Sequence, residues 1–264
     1  MKYSKFVTPI IEIAMEAGRI IMEYYGKDSG VTIKSDKSPV TKADVAANEH
    51  IVKKLKSLAQ EIPVIAEESV NKSSAETGNV FWLVDPLDGT KSFIKGTGEF
   101  TVNIALVDNG VPVLGVVFVP VTDEIFYTGQ DGHAYSRQGS EPAEIISVRK
   151  TPKSGLVVVA SGVHRTKETD DYISHLPDIT GFSVASIVPA SSSLKFCLLA
   201  GGEADVYPRF GPTMEWDTAA GNAVLLAAGG RVENIDGSIF TYGKHAFKNG
   251  NFIAWGTRPD VIRH

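Results

Sequence analysis

Trp82-Leu83-Val84-Asp85-Pro86-Leu87-Asp88-Gly89-Thr90 joins an apolar run to a turn that carries two carboxylates. Residues 80–84 are continuously apolar and of strand length, the pattern of a strand covered on both faces. The reading ends that strand abruptly at Asp85-Pro86. Asp-Pro and Asp-Gly are common turn dipeptides, so a plain turn after a buried strand accounts for these residues. They also suit a site. Pro86 stiffens the turn, Asp85 and Asp88 project toward one point, and Gly89, without a Cβ, lets main-chain N–H groups approach a phosphate. Spacing alone leaves both readings open.

On either side the hydrophobic periodicity assigns further elements. Ile10, Ile13, Ala14, Ala17 and Ile21 recur at helical spacing with Pro9 in the first turn, which predicts an amphipathic helix ending near Gly26. A second helix is expected over 41–59, with Val45, Ile51, Val52, Leu55 and Leu58 on its apolar side. Val64-Ile65-Ala66 reads as a short strand running into Glu67-Glu68. Two apolar runs, 102–107 and 111–119, flank Asp108-Asn109-Gly110, which is a strong hairpin signal. The second half alternates: strand 156–160, helix 167–175, helix 192–200, strand 204–207, helix 216–228, then strands near Val232 and over 252–254. Such alternation points to a layered α/β architecture. Residues 136–142 form the one polar stretch expected to separate two halves.

At 264 residues the chain suits one large α/β unit or two fused halves. Hydrophobic residues at 43% and charged residues at 22% exclude a disordered chain. A formal charge of -5 and a pI near 5.7 offer no basic surface, so long nucleic acid is excluded as a partner. A bound phosphate must therefore be held locally, by metals or helix ends. Cys197, the only cysteine, excludes an intrachain disulfide and is read as a small core residue. No apolar run approaches the roughly 20 residues of a membrane span, and Glu12 and Glu16 break the stretch a signal peptide would keep apolar. The cytoplasm is the expected compartment, with peripheral attachment to the inner membrane left open.

Carboxylates gather at element ends: Asp44, Glu67, Glu68, Asp85, Asp88 and Asp217. Oxygen-only sets suit hard cations such as Mg²⁺, and like charges crowded together are costly unless a cation joins them. Each also has an ordinary explanation. Glu67-Glu68 is charge at a strand end, Asp217 suits a helix N-cap, and Asp44, three residues after Thr41, suits a capping box. His133, His164 and the other histidines show no ligand spacing, which argues against a histidine nucleophile.

Taken together, residues 82–90, preceded by Ala66-Glu67-Glu68-Ser69 and followed by Trp216-Asp217-Thr218-Ala219-Ala220-Gly221, resemble the signature set of the inositol-monophosphatase-like phosphatases. Residues 85–93 with 98–107, and residues 192–224, look like the 3'(2'),5'-bisphosphate nucleotidases of the CysQ type within that superfamily. The likeness runs from about Thr41 to Gly230 and is weakest around 166–188. Ser92 departs from it, standing where a relative carries an acidic residue.

The resemblance implies a layered αβαβα sandwich of the inositol monophosphatase and fructose-bisphosphatase type. It implies one phosphatase unit over 1–264, with sub-regions 1–140 carrying the metal motifs and 141–264 contacting the nucleotide. It makes Glu67, Asp85, the main-chain carbonyl of Leu87, Asp88 and Asp217 the ligands of two or three Mg²⁺ ions, with sensitivity to Li⁺. Inhibition by excess Ca²⁺ is expected from its looser coordination. Phosphate would be held by the amides of Gly89 and Thr90, with Thr90, oriented by Asp44, positioning the attacking water. Lys195 and Arg209 would lie at the nucleotide end, and His164 near Ser161 would touch the nucleotide. The implied reaction converts adenosine 3',5'-bisphosphate to AMP and phosphate, clearing a by-product of sulfate assimilation. The alternatives are an inositol or sugar phosphatase of the same superfamily and an inactive nucleotide-binding regulator.

Overall fold

The computed structural model describes residues 1–27, 30–34, 38–70, 77–162 and 165–259. A short antiparallel pair, β1 (Thr32–Ile33) with β2 (Pro39–Val40), precedes a sheet of seven strands. These are β3 (Val64–Ala66), β4 (Val80–Asp88), β5 (Thr101–Asp108), β6 (Val111–Val119), β7 (Glu124–Thr128), β8 (Ala134–Gln138) and β9 (Glu144–Ile146), side by side in that order. β3 and β4 are parallel and every later pair is antiparallel.

The second sheet has five strands, drawn from β10 (Leu156–Ala160), β11 (Val184–Pro189), β12 (Val206–Arg209), β14 (Arg231–Asn234) and β16 (Phe252–Trp255). A separate pair joins β13 (Thr213–Met214) to β15 (Lys248–Asn249). The order in the five-stranded sheet is β11-β10-β12-β16-β14.

Six α-helices complete the described fold: α1 (Val7–Tyr24), α2 (Lys42–Leu58), α3 (Thr90–Lys95), α4 (Lys167–Thr180), α5 (Leu194–Ala200) and α6 (Ala219–Ala227). Successive residues of a strand point to opposite faces, and β4 uses both. Trp82 and Val84 pack with α1 and α2, whereas Phe81 and Leu83 pack with α5 and α6. This explains the unbroken apolar run. The same α5 and α6 also cover one face of the five-stranded sheet, and α4 covers its far face. The result is the αβαβα sandwich that the sequence resemblance implies. α6 approaches β6 closely, and a Cβ on Gly115 would lie 2.3 Å from the Ala220 carbonyl oxygen. Glycine there brings the segment after Asp217 down onto the sheet.

Several local expectations change. β4 does not stop at Asp85 but continues to Asp88. The helix expected over 167–175 runs to Thr180 with Pro177 inside it, ending at Gly181 in the left-handed region (φ 75). Val45 is 45% exposed, and the buried stripe of α2 runs through Ala43, Ala47, Ile51 and Leu55. Residues 136–142 do not separate two sheets, because β8 includes Ser136 to Gln138 and β9 adds a further strand beyond them. Cys197 is buried, as expected.

Candidate active site

The pairing of β4 with β5 slips between Asp85 and Asp88: Asp85 faces Asn103 and Asp88 faces Thr101. Pro86 and Leu87 thus stand against a single partner residue. In an unbroken strand, residues three apart lie on opposite faces; the extra residue of a bulge re-aims them, here bringing Asp85 and Asp88 together. Pro86 loses no ladder bond at such a position. The Leu87 amide donates to Asp85 Oδ1 at 3.0 Å and closes the bulge.

Glu67 arrives from the neighbouring strand end, where its amide donates to the Val84 carbonyl at 3.1 Å. Asp217 comes from the second half, at the end of a 3₁₀ turn, Glu215–Asp217. The expectation that it caps the following helix is corrected. Thr218 is the N-cap of α6, and the Asp217 carboxylate accepts from the Met214 amide at 2.8 Å. Fully buried Glu215 anchors that turn by accepting from the Gly243 and Lys244 amides, each at 2.8 Å. Oxygens of Glu67, Asp85 and Asp217 all lie within 4.8 Å of one another, the only such cluster among the described residues. Asp88 is held beside them, its Oδ2 accepting from Asn103 Nδ2 at 3.2 Å and the Ser193 amide at 2.8 Å.

Burial, with Glu67, Asp88 and Asp217 nearby, lifts the Asp85 carboxyl well above the usual carboxylate range. Burial, then Asp88, does the same to Asp217. Burial also lifts Asp88, with Lys195 opposing. An all-oxygen cluster whose charges are this costly alone fits a hard divalent cation. Groups with raised folded values stabilise the metal-free fold while protonated, and that stability is lost as pH rises through those values. Mg²⁺ added to chelated protein is therefore expected to raise the thermal midpoint more at about pH 8 than at about pH 5.5. A midpoint gain that is equal at both, or larger in acid, would count against the cluster as the cation's site.

Asp44 and Thr41 form the expected capping box at α2. Asp44 Oδ2 accepts from the Thr41 amide at 2.8 Å and the Thr41 hydroxyl at 2.5 Å. Its other oxygen accepts from the Thr90 hydroxyl at 3.0 Å. The two residues paired in the sequence reading thus meet, although α2 and α3 are far apart in the chain. Burial raises the Asp44 carboxyl, and these bonds pull it back. Gly89 has φ 103, and a Cβ there would sit 2.6 Å from Ser192 Oγ, so glycine is required on both counts.

Lys195 is only 6% exposed, donating to the Ser192 carbonyl at 2.7 Å. Burial pushes its ammonium down to about 8, with Asp88 opposing. Arg209 ends β12, donates through Nη2 to the Pro212 carbonyl at 3.3 Å, and has a buried Nε with no hydrogen-bond partner. His164 lies outside the described residues. Asn103, Ser193 and Lys34 were not singled out by sequence reasoning. Asn103 carried a signal, a polar side chain inside an apolar strand that must find partners when buried. Ser193 donates through Oγ to the Asp217 carbonyl at 2.9 Å, linking the Asp88 and Asp217 segments.

A model of the inositol monophosphatase family matches residues 2–262. The chain belongs to the inositol monophosphatase family. Members of the inositol monophosphatase family are metal-dependent phosphatases, in keeping with the acidic cluster. A 3'(2'),5'-bisphosphate nucleotidase CysQ of Shigella flexneri is 43% identical over 247 residues, covering 92% of this chain and 96% of that relative. The crystal structure of CysQ from Bacteroides thetaiotaomicron, also of the inositol monophosphatase family, matches with a TM-score of 0.83 at 39% identity, covering 97% of this chain and 98% of that one. An inositol monophosphatase from Anabaena matches with a TM-score of 0.72 at 26% identity, covering 98% and 93%. The likeness read from residues 41–230 thus extends over nearly the whole chain. No helix among the described residues is long and apolar enough to cross a membrane.

Proposed function

We propose that this protein hydrolyses the 3'-phosphate of adenosine 3',5'-bisphosphate, giving AMP and phosphate in a Mg²⁺-dependent reaction. The observation that carries this is the convergence of Glu67, Asp85 and Asp217 in a chain 43% identical to a bisphosphate nucleotidase over most of its length. Glu67, Asp85, the Leu87 carbonyl, Asp88 and Asp217 would hold two or three ions. Mg²⁺ bound there supplies a water of lowered pKa and offsets charge on the phosphate and the leaving ribose oxygen. Because the Thr90 hydroxyl donates its hydrogen bond to Asp44, its oxygen is left to accept from the attacking water and fix that water's direction. Water oxygen bonds to phosphorus, the bond to the 3'-oxygen breaks, and that oxygen takes up the proton that the attacking water gives up, so that the products are the ribose hydroxyl and phosphate. No covalent phosphoenzyme is needed. The amides of Gly89 and Thr90 hold the phosphate.

Lys195, tied to Ser192 and beside Asp88, serves to position this loop, which leaves Arg209 to read the nucleotide. Cytoplasmic removal of a by-product of sulfate assimilation is the role that follows. The test is a phosphate-release panel of adenosine 3',5'-bisphosphate, inositol 1-phosphate and fructose 1,6-bisphosphate, with and without chelator. Preference for either of the last two would replace the nucleotidase reading by an inositol or sugar phosphatase, and activity after exhaustive chelation would remove the metal. An inactive regulator is disfavoured because every proposed ligand position is filled. Arg209→Ala is expected to lower kcat/KM for the nucleotide roughly tenfold, as for one lost charge-assisted bond, with little change on inositol 1-phosphate. Equal losses on both would assign specificity elsewhere.

A further inference from the structure

Lys34, which follows β1, reaches the acidic cluster from a segment that the proposed reaction does not use. Its Nζ lies 2.8 Å from Glu67 Oε1 and 2.5 Å from Glu68 Oε1. The three side chains are largely withdrawn from water, with 21%, 26% and 9% of their surface exposed. Glu67 therefore has two claimants: this ammonium and the cation its cluster with Asp85 and Asp217 would hold. A metal–carboxylate bond of about 2.1 Å would leave a dication and the ammonium sharing one carboxylate, where their repulsion is large in a part-buried setting. Glu68 is outside the proposed ligand set, yet it already holds the same ammonium.

We propose that Lys34 is an internal counter-cation of the metal site, neutralising Glu67 while the site is free and releasing it, with Glu68 keeping the ammonium, when a metal binds. This rests on the metal-site reading given above. Glu68 then has a distinct task. It gives the displaced ammonium a partner, so that metal entry does not leave Lys34 unpaired in a partly buried place. The consequence is that Lys34 weakens metal binding and Glu68 limits that weakening.

The experiment is calorimetric titration of Mg²⁺ alone into chelator-stripped wild type, Lys34→Met, Glu68→Gln and the double variant, with thermal midpoints taken to establish folding. Lys34→Met is expected to bind Mg²⁺ tighter by roughly three- to tenfold, as for loss of one competing part-buried pair. Glu68→Gln should weaken binding, because the ammonium then rests on Glu67 alone. In the double variant most of that weakening should vanish, since there is no ammonium left to redirect. Unchanged or weaker binding by folded Lys34→Met overturns the proposal, as does a Glu68→Gln loss that persists in full in the double variant. If wild type binds no Mg²⁺, the metal-site reading itself falls, and this inference with it. Should Lys34→Met fail to fold, Lys34→Gln carries the same expectation with a polar side chain in the same place.

Discussion

Asp88→Asn is expected to lower turnover on adenosine 3',5'-bisphosphate by roughly 10² or more, the usual scale for losing a group that serves developing charge. The fold should survive. Asp88 Oδ2 takes both protein donors, Asn103 Nδ2 and the Ser193 amide. An asparagine in the same rotamer keeps its oxygen there and turns its NH₂ toward the cluster, preserving the link to the second half of the chain while removing a proposed cation ligand. Steady-state kinetics beside circular dichroism and a thermal melt measure the two effects separately. A folded variant with full turnover would remove Asp88 from the site. Loss of the folded signal along with activity would return residues 85–90 to the role of a structural turn.

The layers of this fold were legible in the sequence because they depend on hydrophobic period. Ile10, Ala14, Ala17 and Ile21 mark α1, and the unbroken run before Asp85 marks a strand buried on both faces, as it is. The bulge at Pro86-Leu87 was not legible. Asp-Pro reads equally well as the end of a strand, and only the pairing with Asn103 and Thr101 shows the strand continuing. The meander of β7 to β9 escaped for a related reason: its strands are short and mix polar and apolar types without a clear alternation, and the last of them, β9, lies at the sheet edge and is largely exposed. Among the site residues, spacing offered Asp85 and Asp88 as a pair but left a plain turn equally open. Glu67 and Asp217 could be joined to them only through the resemblance, because no local rule brings together residues from different halves. Lys34 carried no signal, since a lone lysine beside Thr32 and Ile33 has no motif around it and lysine is usually solvated. Its burial against Glu67 and Glu68 depends on where the β1–β2 pair lies over the site.

Thr90→Val should match the loss at Asp88 in kcat, by about 10², while leaving Mg²⁺ affinity near wild type. The reasoning turns on the direction of one proton. Thr90 Oγ lies 3.0 Å from Asp44 Oδ1 and 3.3 Å from the Leu87 carbonyl, and its single proton goes to the nearer, carboxylate acceptor. The hydroxyl oxygen then faces the site as an acceptor. Thr90→Ser keeps this arrangement and should keep most activity. Asp44→Asn provides the sharper test, because the asparagine oxygen would stay with the two Thr41 donors. Its NH₂ would then face Thr90. To accept from that NH₂, the Thr90 hydroxyl must turn its proton away from residue 44, toward the Leu87 carbonyl 3.3 Å away or toward the water, and the lone pair that fixes the water is re-aimed. Asp44→Asn is thus expected to lose turnover to about the same extent as Thr90→Val, with α2 still capped and the thermal midpoint nearly unchanged. An Asp44→Asn variant that is folded and fully active would show that the attacking water takes its direction from some other group.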